Sequence, residues 1–372
     1  MSPGAALAET QAALSPRANP HLFGHAAAEA VLLSAYRSGR LPHTWLICGP
    51  RGVGKATLAY RFARFVLATG ADLGGPREPG LFGGDAPPTS LALAPDHPVF
   101  CRVASGGHGD LLSIERREDD RGRLKSEIPV EESRTAADFL HLTPAEGGWR
   151  IIVIDAVEEM NRHAANALLK IIEEPPDKAL ILMISHAPGR LLPTIRSRCR
   201  LLPLKALPAS LIGEVLRAQC PELAPDDVRI LADLAEGSAG RAIELASHGG
   251  LALYRELSGM LQRLPALDIA ALHRFADRMS GSEGEVAFRT TADLLQWWLS
   301  RRVRAAARGE AAAEKPPGAG EEGRLVGLGN LDRWLEVWEK TRHLLSRSDS
   351  LNLERKQIVL NAVLALEAAA RT

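Results

Sequence analysis

The sequence has few of the residues that build special chemistry. Of its 372 residues only four are cysteines, three are tyrosines, and aromatic side chains make up 5%. Cys48, Cys101, Cys199 and Cys220 are scattered, with no Cys-x-x-Cys pair. That argues against a disulfide framework and for a reducing compartment. Net charge is also missing: 45 basic residues face 45 acidic ones, which excludes a molecule that wraps nucleic acid by overall charge while leaving local basic strips open. No apolar run approaches a membrane span, and residues 1–20 lack the core of a signal peptide. A cytoplasmic chain with no membrane contact is expected. Its length suits two or three domains, each with a core of its own.

What is present centres on Leu46–Leu58, which contains Gly49-Pro-Arg-Gly-Val-Gly-Lys55. An apolar run (Trp45, Leu46, Ile47, Cys48) stops at this glycine-rich turn, and a helical pattern with Leu58, Phe62, Phe65 and Thr69 on one face follows. In a strand–loop–helix setting, Gly-x-x-x-x-Gly-Lys reads as a phosphate cradle. Gly49, Gly52 and Gly54 free backbone N–H groups to point at one anion, the helix N-terminus adds its dipole, and Lys55 adds a full charge. The motif wants Ser or Thr next, to hold Mg²⁺, and position 56 is alanine. Thr57 carries a hydroxyl, but about 100° further round the helix. The blander reading is a glycine-rich turn with a solvated lysine.

Along the chain, residues 1–18 read as a flexible N-terminus, and a helix is expected over Ala26–Ser38 with a stop at Gly39-Arg-Leu-Pro42. From Ala71 to Phe100, eleven of thirty residues are Gly or Pro, so an irregular insertion is expected over about 70–105. Strands are expected at Asp110–Glu115, Arg150–Asp155, Ala179–Ser185 and Cys199–Leu204, and a helix at Val130–Leu142. A further helix carries Met160, Ala164, Ala167, Leu168 and Ile171, and halts at Glu173-Glu-Pro-Pro176. Strands alternating with helices predict a doubly wound parallel α/β domain over 19–207. After Pro208 only helices are expected, with stripes at Phe288/Ala292/Leu295/Leu299/Val303, Leu331/Trp334/Leu335/Trp338/Leu345 and Val359/Ala362/Val363/Leu366/Ala369. A flexible connection over about 309–325 interrupts them.

Asp155, ending a buried strand about a hundred residues after the cradle, stands where such folds hold Mg²⁺; a helix N-cap is the alternative. The residue that would polarise an attacking water is Ala156, and Glu158 and Glu159 are read as lying further along the helix and facing elsewhere. Loss of a general base typically costs ~10²–10⁴ in rate, so efficient hydrolysis is not expected. Arg196-Ser-Arg-Cys199 offers either solvated charge or an arginine aimed at a neighbouring subunit's phosphate. His97, Cys101 and His108 match no zinc pattern, so no metal site is read there. Trp297, Trp298, Trp334 and Trp338 fall at helical spacing and read as helix–helix contacts.

Several segments then occur in one order: Leu22-Phe-Gly-His25, Gly49–Lys55, Ile154-Asp-Ala156, Asn166-Ala-Leu-Leu-Lys-Ile-Ile-Glu-Glu-Pro-Pro176, Ile195-Arg-Ser-Arg-Cys199 and Gly237-Ser-Ala-Gly-Arg241. Over about residues 19–250 this resembles the bacterial sliding-clamp loader subunits of the AAA+ family, and among them the delta-prime subunits of DNA polymerase III. The resemblance implies an AAA+ P-loop domain, a helical lid over 208–262 and a helical collar over 263–372 that joins five subunits in a ring. It implies that Arg198 is an arginine finger acting in trans, that Arg241 takes the second sensor position, and that Ser185 or His186 lies near the first. The implied function is a largely non-hydrolysing scaffold within the polymerase holoenzyme. Its implied partners are the gamma/tau motor and delta subunits in a hetero-pentamer and, through that complex, the sliding clamp and primed DNA. ATP or ADP is the expected ligand of Gly49, Gly52, Gly54, Lys55, Thr57, Asp155 and Arg241, with Mg²⁺ left open. Zinc is not expected, because the four-cysteine module of many relatives is missing. An active AAA+ motor is the alternative.

Overall fold

The computed structural model describes residues 15–70, 88–117, 125–146, 148–281, 284–307, 331–346 and 354–371. Most of the N-terminal segment expected to be flexible, residues 71–87 of the insertion and the connection expected over 309–325 lie outside the described residues. The chain divides into two compact units, Met1–Leu207 and Pro208–Thr372.

The first unit is built on five parallel strands, β1 (Thr44–Cys48), β2 (Leu111–Glu115), β3 (Arg150–Asp155), β4 (Ala179–Ser185) and β5 (Arg200–Pro203), in the order β2-β3-β4-β1-β5. The three central strands are apolar on both faces, as a sheet covered on both sides requires. Alternate residues divide between two cores. Trp45, Ile47, Ile151, Val153, Leu180, Leu182 and Ile184 face helices α1 (Ala26–Arg37) and α2 (Lys55–Thr69). Leu46, Ile152, Ile154, Ile181 and Met183 face α4 (Val130–His141) and α5 (Arg162–Glu173).

A short helix, α3 (Pro98–Ala104), lies in the stretch read from sequence as irregular. High Gly and Pro content hid it. Pro98 stands in the first turn, where a missing N–H is harmless. His97 caps the helix by accepting from the Val99 N–H at 3.2 Å, and Val99, Phe100 and Val103 are buried. One turn, α6 (Pro193–Arg196), precedes β5.

Arg64 of α2 is only 1% exposed. Its guanidinium donates to the carbonyls of Arg17 (2.8 Å) and Asn19 (2.9 Å) and lies 4.2 Å from the Phe100 ring centre. Beside it Arg61 donates to Pro20 O at 2.7 Å and pairs with Glu29 at 2.6 Å. Two arginines of one helix thus fasten residues 17–20 and α3 onto the sheet's first core.

The second unit is entirely helical among the described residues: α7 (Ala209–Gln219), α8 (Pro225–Leu234), α9 (Ala239–Ser247), α10 (Gly250–Leu261), α11 (Ile269–Asp277), α12 (Gly284–Ala307), α13 (Leu331–Ser346) and α14 (Arg355–Ala370). The expected stripes on α12 and α14 are buried throughout. On α13 the buried face is Trp334, Val337 and Thr341, with Leu335 and Trp338 half-buried, so it is turned from the stripe read in the sequence. Trp297 packs edge-on to Tyr254, and Trp298 lies 6.1 Å from Trp334. These tryptophans bind helix to helix, as their spacing suggests.

Substituting Arg64→Ala removes two charge-assisted hydrogen bonds and leaves two carbonyls facing a void. A loss of about 3 kcal/mol is expected, read as a lower urea midpoint with an unchanged m-value.

Candidate phosphate-binding site

The site forms where the parallel strands end. β1 and β4 run in register, with Cys48 opposite Ser185, and Asp155 of β3 stands opposite Ile184. Three strand ends therefore meet at one carboxyl edge, the usual place for a ligand in an open α/β sheet. The chain leaving Cys48 turns through Gly49, Gly52 and Gly54, all at positive φ (152°, 73° and 104°). Gly49 N–H donates to Ser185 O at 3.3 Å. A Cβ on Gly49 would stand 2.3 Å from Leu204 O, so no side chain fits there. Gly54 abuts Leu22, and the His25 ring meets Val53 O at 2.8 Å. The Leu22-Phe-Gly-His25 segment thus backs the loop.

The loop delivers the chain into the N-terminus of α2, whose 15 residues begin at Lys55. Lys55 is buried, and its Nζ donates to Gly49 O (2.8 Å) and Pro50 O (2.5 Å). Burial pulls its pKa down to about 8, against the attraction of Asp155 and Glu158. Glycines at positive φ, a free helix N-terminus and an ammonium held at its mouth fit a phosphate group. The site is short of a metal donor: Ala56 carries no hydroxyl, and Thr57 is half-buried one residue further round the helix. Asp155 is the carboxylate at the strand end. Burial pushes its pKa up to about 6, and Lys55 restrains that rise.

Glu158 is not where the sequence reading put it. After Asp155 the chain stays extended at Ala156 and makes one 3₁₀ turn, Val157–Glu159, before α5 begins. A helical spacing counted from Asp155 therefore fails. Glu158 turns back to β4, where its Oε1 accepts from the N–H groups of His186 (2.6 Å) and Ala187 (3.0 Å). Its Oε2 and His186 Nδ1 are buried without hydrogen-bond partners among the described residues. Burial, reinforced by the charge of Lys55, pushes the His186 pKa down to about 4, so the ring is neutral near pH 7. Ser185 is fully buried beside it, its Oγ accepting from Ala187 N–H at 3.2 Å.

The loop glycines, Lys55, Thr57 and Asp155 belong to this edge of the first unit. Arg198 stands just past α6, exposed, with Nε 2.8 Å from Glu173 Oε1 and Nη1 3.2 Å from Thr194 O. Arg241 belongs to the second unit. Its Nη1 lies 3.7 Å from Glu236 Oε2 and its Nη2 is buried with no hydrogen-bond partner among the described residues. His97 is a helix cap, Cys101 Sγ donates to Pro95 O, and His108 accepts from Asp110 N–H. Each therefore has a local structural role. No group of three or more His, Cys, Asp or Glu suited to a metal occurs among the described residues, and no helix there is long and apolar enough to cross a membrane.

Residues 96–208 match a family described as DNA polymerase III, delta subunit. The DNA polymerase III subunit delta' of Pseudomonas aeruginosa is 33% identical over 209 residues, 56% of this chain and 56% of that protein. Subunit tau of Escherichia coli is 32% identical over 265 residues, 68% of this chain but 37% of that protein. This chain is similar in sequence to DNA polymerase III delta', tau and gamma subunits. The matches take in little more than half, or less, of those relatives' own lengths. A DNA polymerase III gamma subunit-related protein from Thermotoga maritima aligns with 91% of this chain and 100% of its own at 19% identity and a TM-score of 0.41, a likeness that carries no functional weight. The family match, residues 96–208, takes in β2 to β5 and so the strand ends at Asp155 and Ser185, and the relatives include subunits of more than one kind.

Two substitutions test the site as built. Gly49→Ala drives a methyl into Leu204 O and is expected to cost about 3 kcal/mol or more, read by thermal unfolding. For Asp155, the unfolded chain gives up its proton near the ordinary carboxylate value of 3.8 and the folded chain holds it to about 6. The folded state thus binds more protons across that window, and stability falls as pH rises through it. Asp155→Asn should flatten this segment of the stability–pH curve while leaving the region below pH 4 unchanged.

Proposed function

We propose that this chain is the delta-prime member of a DNA polymerase III clamp loader, a scaffold that completes a neighbour's ATP site instead of running its own. The observation that carries the reading is the split at the carboxyl edge. The anion-holding parts are in place, with Gly49, Gly52, Gly54 and Lys55 on one loop and Asp155 at the adjoining strand end. The parts that drive hydrolysis are missing, because Ala56 and Ala156 stand where a metal-holding hydroxyl and a water-polarising carboxylate are needed.

Glu158 does not fill that gap. Its Oε1 already accepts two backbone N–H groups, which turn the side chain to the end of β4. In this reading the cradle takes ATP or ADP as a structural ligand: the loop N–H groups and Lys55 hold phosphate, and Thr57 and Asp155 line the remainder. Lys55 Nζ leaves the carbonyls of Gly49 and Pro50 to meet it. Mg²⁺ would have Asp155 as its one carboxylate here, and zinc has no part. Arg198 is exposed at the end of α6, beyond the cradle's own residues, and serves an adjacent motor subunit as a finger. A finger can contribute ~10³–10⁵ in k_cat to the site that receives it.

The division at 207/208 supports an AAA+ domain followed by helices. In this reading those helices form a lid (208–262) and a collar (263–372) within a pentamer of gamma/tau, delta and this chain, acting on the sliding clamp and primed DNA in the cytoplasm. The second reading is an active motor. It is favoured by the intact cradle and by the similarity to tau over 68% of the chain.

The test uses the purified full-length chain and the reconstituted loader. Alone, the chain should turn over ATP at least about 100-fold more slowly than the motor. Arg198→Ala should remove the turnover of the one site it completes while the complex still assembles on gel filtration. Brisk turnover by the lone chain would establish the motor reading instead.

A further inference from the structure

Glu173 occupies a position that helix physics disfavours. It is the last residue of α5, followed by Glu174 as the C-cap and by Pro175-Pro176. The carbonyl end of a helix carries partial negative charge, so a carboxylate there is destabilising unless a cation meets it. The cation that meets it is Arg198, from a different element, with Nε 2.8 Å from Glu173 Oε1.

The geometry of the pair is one-sided. Nε is taken by Glu173, and Nη1 donates to Thr194 O (3.2 Å) and reaches Ser197 Oγ at 3.5 Å. Nη2 takes no partner among the described residues. The two side chains are 42% and 47% exposed, so the guanidinium is held at two of its three nitrogens while Nη2 is left for another acceptor. A long arginine on a surface turn normally samples many rotamers, and fixing it costs entropy at the moment of use. Here that ordering is already in place. An exposed ion pair adds little to stability. Its effect would instead be felt in the direction of the free donor.

We propose that Glu173 is a positioning residue for Arg198: it orients the guanidinium so that its Nη2 meets a phosphate oxygen of the nucleotide held by an adjacent subunit. This rests on the reading of Arg198 as a finger and adds that the α5 terminus aims it. The role is distinct from helix termination, which Pro175 and Pro176 accomplish without a carboxylate.

The experiment compares the full-length chain carrying Glu173→Ala, Glu173→Gln, Arg198→Ala or the Glu173→Ala/Arg198→Ala pair, each reconstituted with the motor and delta subunits, clamp and primed DNA. Glu173→Ala is expected to lower the ATPase k_cat of the completed site about fivefold with KM for ATP unchanged. Glu173→Gln, which keeps an acceptor for Nε, should recover part of that loss. The double variant should match Arg198→Ala alone, because an aiming residue has nothing left to aim. Melting temperature and elution volume should stay at wild-type values throughout. A loss with Arg198→Ala but wild-type or higher rates with Glu173→Ala would overturn the positioning role and leave the finger reading intact. Additive losses in the double variant would overturn it equally. Wild-type rates with Arg198→Ala would remove the finger reading, and this inference with it.

Discussion

The carboxyl edge of the first unit depends on one close backbone approach. Gly49 passes Leu204 so tightly that even a methyl would meet its carbonyl oxygen at 2.3 Å, while its N–H reaches Ser185 O. That contact ties the loop to the ends of β4 and β5 together. The rest follows from where it sets the chain down. Gly54 is placed at the mouth of α2, Lys55 is turned inward under its own loop carbonyls, and Asp155 comes close enough for its charge to bear on the ammonium. A looser turn would let Lys55 swing into water, and the burial that now perturbs both groups would disappear.

The consequence is a site whose electrostatics are unsettled in the absence of a ligand. Lys55 is drawn down to about 8 and Asp155 up to about 6 by the same cause, loss of water. Each partly offsets the other, and Glu158 adds a second negative charge near the lysine. A phosphate brought to Lys55 supplies the counter-charge that burial has withheld, so the lysine gains more from an anion than a solvated lysine would. The same phosphate meets the nearby carboxylates at a penalty. Holding an anion and cleaving it are separable demands: the first needs backbone geometry and one ammonium, which Gly49–Lys55 has, whereas positions 56 and 156 are alanines with no group to hold a metal or a water.

Much of this was legible in the sequence because it rests on local patterns. The run Ile151–Ile154 is β-branched throughout and could only be a strand covered on both faces, and Ala179–Ser185 has the same character. The phosphate loop was readable from glycine spacing, since positive φ is what glycine is kept for. The misreadings have equally local causes. Helix α3 was missed because proline was counted as a breaker although Pro98 sits in the first turn, where it is welcome. Glu158 was sent to the wrong face because helical periodicity was started at Asp155, whereas the backbone is extended at Ala156 and tightens only for three residues. The rotated face of α13 reflects Thr341, buried although polar, which a count of apolar residues passes over. His186 was pointed to by the family resemblance alone, which set Ser185 or His186 near the first sensor position, and by no local pattern beyond following a buried strand.

The last step concerns why Glu158, once found, changes how the site is understood. By accepting from two consecutive N–H groups it joins the end of β3 to the end of β4 at the point where Gly49 is also held through Ser185. Three separate chain segments are thereby locked at one place: the loop after β1, the turn after β3 and the turn after β4. Glu158 Oε2 is buried without a hydrogen-bond partner among the described residues, which costs stability. Glu158 also bears on the Lys55 ammonium, so the lysine is electrostatically linked to the carboxylate that binds the strand ends together. Removing the ammonium would leave Asp155 with the repulsion of Glu158 and without the charge that holds its pKa down.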